Sequence, residues 1–298
     1  MRINIENWAV VIVTYLRYSE LEKTILAILN EGIFCQNIFV IDNNQRENRN
    51  ENFYLDFPGI NPVFTDSNIS SSGGFSLGMK TAHEKGFEYV LLYNDDSRPL
   101  KGAIQSFVES LLILSDRKVG MLKIGNLNSK GQVVVINWEG VRKPIYIPIG
   151  KDPVRSDLIT FDGCLISTDL MSEIGYCDPQ YFMGTYEFDY CLRASDIGFE
   201  IYTIPNGLIE DGKLGSVGGI PPWRQYYNTR NHLWLGLNRK SIQTILAWTV
   251  RELKFTYAIL RWEDQKGFRI GLKLLATLHA LIGKRGKVLN PLDFQKSS

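Results

Sequence analysis

Leu91-Leu92-Tyr93-Asn94-Asp95-Asp96-Ser97 is an apolar run that stops abruptly in three adjacent side chains carrying oxygen. Such a stop reads as a strand ending in a polar loop at the carboxyl edge of a sheet, where open α/β folds bind ligands. Carboxylate oxygens at that edge suit Mg2+ or Mn2+ held against a diphosphate. The same residue types are also ordinary turn formers, so the triplet gains meaning only from its surroundings.

Working outward, the chain before it alternates strand and helix patterns. Trp8 to Val13 is a short β-branched run of the kind buried on both faces of a sheet. Leu21, Ile25, Ile28 and Leu29 follow at helical spacing, with Ser19 as N-cap and Gly32 as the stop. Asn37 to Ile41 predicts a second strand ending at Asp42-Asn43-Asn44, Pro62 to Phe64 a third leading to Asn68, and a helix is expected from about Phe75 to Lys85. Tyr89 to Tyr93 is then the fourth strand. This alternation implies an α/β fold with a mostly parallel central sheet and right-handed crossovers. The four strand ends bring Thr14, Arg17, Asp42, Asn43, Asn68 and the Asn94-Asp95-Asp96 triplet to one edge, a pattern that favours a nucleotide. Between them, Ser70 to Gly78 reads as a glycine-rich turn through which backbone approaches a ligand closely. It lacks both the dinucleotide fingerprint and the Gly-Lys-Ser/Thr of a P-loop, which disfavours a dehydrogenase or kinase.

Composition sets the frame. The 298 residues, 44% hydrophobic, suffice for one large core or a core plus an appendage. The four cysteines form no close pair, so neither a zinc site nor a disulfide framework is expected. No charged-then-apolar leader and no run of about 18 apolar residues occurs, so a cytoplasmic or peripheral location is expected. The net charge of +1 hides an asymmetry, with residues 1–238 at −7 and residues 239–287 at +8. The reading therefore divides the chain into a body over 1–238 and a basic, amphipathic helical region over 239–298.

Downstream, Phe161 to Ile166 reads as another strand, and a helix begins within Tyr186-Glu187-Phe188-Asp189-Tyr190-Cys191-Leu192-Arg193. Asp189 and Arg193, four residues apart, are spaced to pair, which leaves Glu187 free to face a cleft as a general base. Taken together, Val11 to Tyr15, Asp42-Asn43-Asn44, Asn68 with Gly73-Gly74-Phe75 and Gly78, Asn94-Asp95-Asp96, Phe161-Asp162-Gly163, Tyr186 to Arg193 and Tyr226 to Asn231 occur in a telling order. Over roughly residues 8–238 the chain resembles the family-two inverting glycosyltransferases of the GT-A fold, in the bacterial rhamnosyltransferase and galactofuranosyltransferase branch.

The resemblance implies roles. Thr14 and Asp42 would contact base and ribose of a UDP- or dTDP-linked sugar, with Arg17, Asn43, Asn68, Gly73 and Gly74 around the donor and Asp95 on ribose or donor. Asp96 and Asn94 would hold Mg2+ or Mn2+. The family's later metal-ligating histidine is missing from Leu208-Ile209-Glu210-Asp211-Gly212, where Asp211, or less readily Glu210, would replace it. Glu187 matches the catalytic base; Asp189 matches a second acid that orients acceptor hydroxyls or holds the helix through Arg193. Trp223, Arg224, Tyr227, Arg230 and Asn231 belong to a segment expected to close over the site, the alternative being an amphipathic helix with a packed aromatic face. His83 and His232 read as ordinary helix residues. Implied acceptors are glycans or polyprenyl-linked glycans of bacterial surface polysaccharide, not nucleic acid.

In the tail, Ile270, Leu274, Leu278, Leu281 and Ile282 share one helical face. Packing on the body is the ordinary fate of such a face; an anionic membrane on the inner leaflet and a homodimer interface stay open beside it. A catalytically silent carbohydrate-binding scaffold and a nucleotidyltransferase are the competing function classes. The second should show a basic glycine-rich signature after the first strand, where this chain has Thr14-Tyr15-Leu16-Arg17.

Overall fold

The computed structural model describes residues 3–210 and 221–290. β1 (Trp8–Thr14) is buried along its whole length and leads through α1 (Tyr18–Asn30) to β2 (Ile38–Asp42), β3 (Asn61–Phe64), α2 (Ser70–Glu84) and β4 (Tyr89–Asn94). These four strands are parallel neighbours in the order β3-β2-β1-β4. Side-chain alternation along β1 explains the layering. Ala9, Val11 and Val13 face the α2 side with Phe75 and Met79, whereas Trp8, Val10 and Ile12 face α1 with Leu21 and Ile25.

After β5 (Arg98–Pro99) and α3 (Ala103–Ile113) come β6 (Val119–Ile124), a hairpin of β7 (Val133–Trp138) and β8 (Arg142–Ile147), β9 (Val154–Arg155), β10 (Cys164–Ser167), α4 (Thr168–Ile174), α5 (Tyr186–Asp196), β11 (Glu200–Ile204) and β12 (Ile209–Glu210). Of these, β5 pairs with β12 and β7 with β8 in two separate two-stranded sheets, while β6, β9, β10 and β11 complete an eight-stranded sheet. The order runs β3-β2-β1-β4-β10-β6-β11-β9, with β10 antiparallel to both β4 and β6. That reversal has a consequence for the site. Cys164 pairs with Leu92, so the residues just before β10 arrive beside the carboxyl end of β4.

Two predicted elements shift. α1 is capped at Arg17 without a side-chain bond, and Ser19 lies inside the helix. The Ser70 to Gly74 stretch is the opening of α2 rather than a turn before it. Its glycines let helix and strand approach: a Cβ on Gly78 would lie 2.2 Å from Val11 and one on Gly74 2.7 Å from Val13. Gly73 is likewise closed, 2.9 Å from Ile69.

α6 (Pro222–Asn238), α7 (Ile242–Trp262) and α8 (Lys266–Leu281) form the C-terminal layer. Lys273 from α8 reaches Glu252 of α7 at 2.9 Å, and Glu252 accepts from Thr229 of α6 at 3.0 Å, so one buried ionic network ties the three together. Tyr226 and His279 share a 2.6 Å hydrogen bond between α6 and α8. The face of α8 that packs inward is Arg269, Leu272, Lys273, Ala276, His279 and Ala280. The predicted apolar stripe is therefore turned the other way, with Leu274, Leu278, Leu281 and Ile282 exposed and Ile270 half-buried.

Candidate active site

The carboxyl ends of β1 and β4 gather a cluster of polar side chains. Thr14 donates to Asp95 at 2.8 Å, and Arg17 bridges Asp95 and Asp96, 2.5 Å from each. Burial pushes Asp95 up to about 6 against the opposing pull of Arg17, Thr14 and the Tyr15 N–H. Burial also opposes the charge on Arg17, but Asp95 and Asp96 outweigh it and its pKa is raised. Antiparallel β10 adds Asp162, which accepts from Asn94 and is held at the carbonyl of its own residue by Lys123. Burial raises the Asp162 pKa, with Lys123 lowering and Asp96 raising it further.

Adjacent to Asp162 lies the opening of α5. The residues before it are held in costly backbone: Phe182 and Thr185 have φ of 64° and 70°. This loop is over-determined from behind. Arg230 donates to the Tyr181 carbonyl at 3.0 Å, and Asn231 to those of Tyr181 and Met183 at 2.8 and 2.7 Å. The turn aims Glu187 into a cavity of about 820 Å3 walled by the β7–β8 hairpin, α5, α6 and α7. Glu187 accepts from the Phe161 N–H at 2.9 Å. Burial pushes it up to about 7, the Asp162 charge adds to the rise, and the Phe161 N–H, Lys123 and Arg142 hold it back. A carboxyl so placed exchanges its proton near neutrality, as a general base must.

No family model matches the chain. It is 26% identical to the dTDP-rhamnosyl transferase RfbF of Shigella flexneri over 94% of its own length and 97% of that protein. It is 22% identical to the galactofuranosyltransferase GlfT2 of Mycobacterium tuberculosis, over 57% of its own length and 31% of that longer protein. Among solved structures, GalNAc-T7 with UDP, GalNAc and Mn2+ superimposes with a TM-score of 0.62 at 13% identity, covering 94% of this chain and 57% of that one. Staphylococcus aureus TarS with UDP-GlcNAc gives 0.58 at 12% identity over 90% and 79%, and the Pyrobaculum calidifontis mannosyltransferase PcManGT with GDP-Man and Mn2+ gives 0.53 at 12% over 93% and 88%. The chain has the GT-A glycosyltransferase fold.

Within this GT-A chain the predicted residues fall into two groups. Arg17 is exposed and Asp96 half-buried, with Asn94 and Asp95 just before Asp96 in the chain, and Glu187 lines the separate large cavity. The others belong to the frame. Asp42 is closed to solvent and accepts from Tyr18, Tyr54 and Asn44, so a nucleotide reaching it would have to displace a tyrosine. Thr14 is occupied by Asp95, and Asn43 bonds the Ser70 carbonyl. Asn68 accepts from the Ser70 N–H at 2.7 Å and lines a separate, shallow cleft with Gly73. Asp189 is buried against Arg193 at 2.9 Å and Tyr181, which is the helix-holding arrangement and turns it from the cleft. Tyr227, Arg230 and Asn231 are also buried, and Trp223 packs on the cluster of Phe182, Tyr226, Tyr227 and Ala276; they are part of a packed helix, not a covering segment. Arg224 stays exposed, and Asp211 lies outside the described residues.

Sequence reading missed most of the cleft wall. Trp138, Val141 and Arg142 come from the β7–β8 hairpin, and Leu246, Val250, Arg251 and Lys254 from α7. The hairpin had a signal, the β-branched Val133-Val134-Val135-Ile136 followed by Glu139-Gly140. His232, read as an ordinary helix residue, lines the same cavity; burial and the nearby Arg251 and Arg142 push it down to about 3, so it is neutral. Its Nδ1 has no hydrogen-bond partner among the described residues.

Mg2+ or Mn2+ needs hard oxygen donors. Asp96 offers a carboxylate 30% exposed, with Asn94 beside it. No cluster of three acid, His or Cys side chains able to hold an ion alone occurs among the described residues. The donor set fits an ion shared with a diphosphate, since Mg2+ takes one or two carboxylates plus phosphate oxygens and water.

Proposed function

We propose that this chain transfers a sugar from a nucleotide diphosphate to an acceptor hydroxyl with inversion, Glu187 serving as base. The observation that carries this reading is Glu187 in the wall of a large cleft, its pKa pushed up to about 7 by burial and by Asp162, which itself accepts from Asn94 at the end of β4. The donor's diphosphate lies across the ends of β1 and β4, where Arg17 exchanges part of its pairing with Asp95 and Asp96 for phosphate oxygens. Asp96, with Asn94, would hold a divalent ion there, which when bound neutralises charge on the leaving diphosphate. The acceptor enters the cleft, its hydroxyl near Glu187 and the free His232 nitrogen, with Arg142 favouring the carboxylate form of the base. Glu187 takes the hydroxyl proton as that oxygen attacks the anomeric carbon from the face opposite the diphosphate. One displacement inverts that centre, and no covalent sugar–enzyme species forms. The relative of matching length makes dTDP-rhamnose the first donor to assay, UDP-galactofuranose the second.

Glu187→Gln tests the reading. Transfer should fall by about 10²–10⁴-fold, the usual worth of a general base, with donor binding by calorimetry retained. Undiminished transfer would remove Glu187 from the mechanism.

A further inference from the structure

Among the described residues, α7 and α8 each present an exposed apolar face. Along α7, Ile242, Leu246, Val250, Leu253, Tyr257 and Leu260 recur every three or four residues for the length of the helix, and all are exposed. Trp262 at its end is 71% exposed. On α8, Leu274, Leu278 and Leu281 are exposed as well. Isolated surface leucines need no explanation, but a stripe of this length does.

The exposed charges around it are predominantly basic. Lys240, Lys254, Arg261, Lys266, Lys284 and Arg285 are exposed on these helices and their ends. The acids of the segment are already engaged: Glu252 is buried with Lys273, and Glu263 and Asp264 meet Arg269 at 3.4 and 3.0 Å. Heptad-like spacing on α7 would also suit a second copy of the chain, yet two such faces would oppose cation to cation at their rims. An anionic lipid surface satisfies both the apolar stripe and its basic border. Neither helix is long and apolar enough to cross a bilayer. The stripe is also continuous with the cleft, because Leu246 and Val250 line the cavity that holds Glu187.

We propose that α7 and α8 seat this protein on an anionic bilayer, apolar stripe in the interface, so that the cleft beside Glu187 opens along the lipid surface. Only the last clause rests on the cleft being the acceptor site; the docking itself does not. Flotation of the full chain with vesicles of phosphatidylcholine alone, or phosphatidylcholine mixed with phosphatidylglycerol, tests it. Binding is expected to the mixed vesicles, weaker at high salt and at least about tenfold weaker to the neutral ones. The triple substitution Leu253→Ser, Tyr257→Ser, Leu260→Ser and the double substitution Arg261→Glu, Lys266→Glu each lower binding about tenfold or more. Both variants keep wild-type donor affinity and melting, which shows that the fold is intact. Equal flotation with neutral vesicles, or none with either, overturns the proposal. So does a dimer by light scattering that the triple variant converts to monomer, which would assign the stripe to a second copy. Vesicle binding without any nucleotide-sugar binding would keep the docking and discard the transferase reading.

Discussion

Glu187 has a polar environment that a single residue change can dissect. A pKa near 7 predicts a pH–rate profile for transfer whose ascending limb has its midpoint at about 7. Arg142 stabilises the carboxylate, so Arg142→Gln should move that limb to higher pH, measured as kcat/KM against pH. The same pKa has a stability consequence. Folding raises this carboxyl above its ordinary 4.5, so the folded chain holds the proton more tightly and loses stability as pH climbs toward about 7, remaining level above. Glu187→Gln should therefore raise the melting temperature at pH 8, by at least about 2 °C, and leave it nearly unchanged at pH 4. On the donor side, Asp96→Ala should weaken donor binding in Mn2+ by about tenfold or more, roughly 1.4 kcal/mol, by calorimetry. Which residues would matter was only partly legible at this scale. Glu187 and Asp96 stood out by type and position, whereas Asp42 and Asp189 carry the same carboxylate and turn out to be enclosed by tyrosines and by Arg193. A sequence shows what a side chain is able to do before it shows who has already claimed it.

At the scale of elements, glycines let α2 lie close against β1. Gly78→Ala should destabilise the fold by about 1–3 kcal/mol through overpacking against Val11. Gly271, on the open side of α8 with nothing within 4 Å, gives the opposite outcome. Gly271→Ala should stabilise by about 0.5–1 kcal/mol, since an exposed helical glycine only costs conformational entropy; urea unfolding of both variants checks the pair. The strands β1 to β4 were readable because buried parallel strands are short unbroken β-branched runs. The β7–β8 hairpin escaped notice although it supplies Trp138 and Arg142 to the cleft, because its importance lies in where it packs, against α7 at Gly140 and Gln243.

For the whole molecule, the basic tail is tied to the body by buried polar contacts despite its distinct composition. The Lys273–Glu252–Thr229 network and the Tyr226–His279 bond cross the boundary drawn at residue 238, and Arg230 of α6 bonds the carbonyl of Gly286 at 2.8 Å. A chain ending at residue 240 is expected to lose cooperative melting, leaving α6 with buried polar groups uncovered; circular dichroism melts against the full chain decide it. By itself the sequence determined the α/β alternation, the strand-end polar edge and the acid opening α5, because periodicity and residue type are local properties of a chain. The tertiary structure decided the rest: that antiparallel β10 sets Asp162 beside Asn94, that Arg230 and Asn231 hold the strained turn before Glu187, and that the apolar stripe of α8 faces outward. Each of these depends on which side of an element meets another, a choice made by packing and by the requirement that buried polar groups find partners.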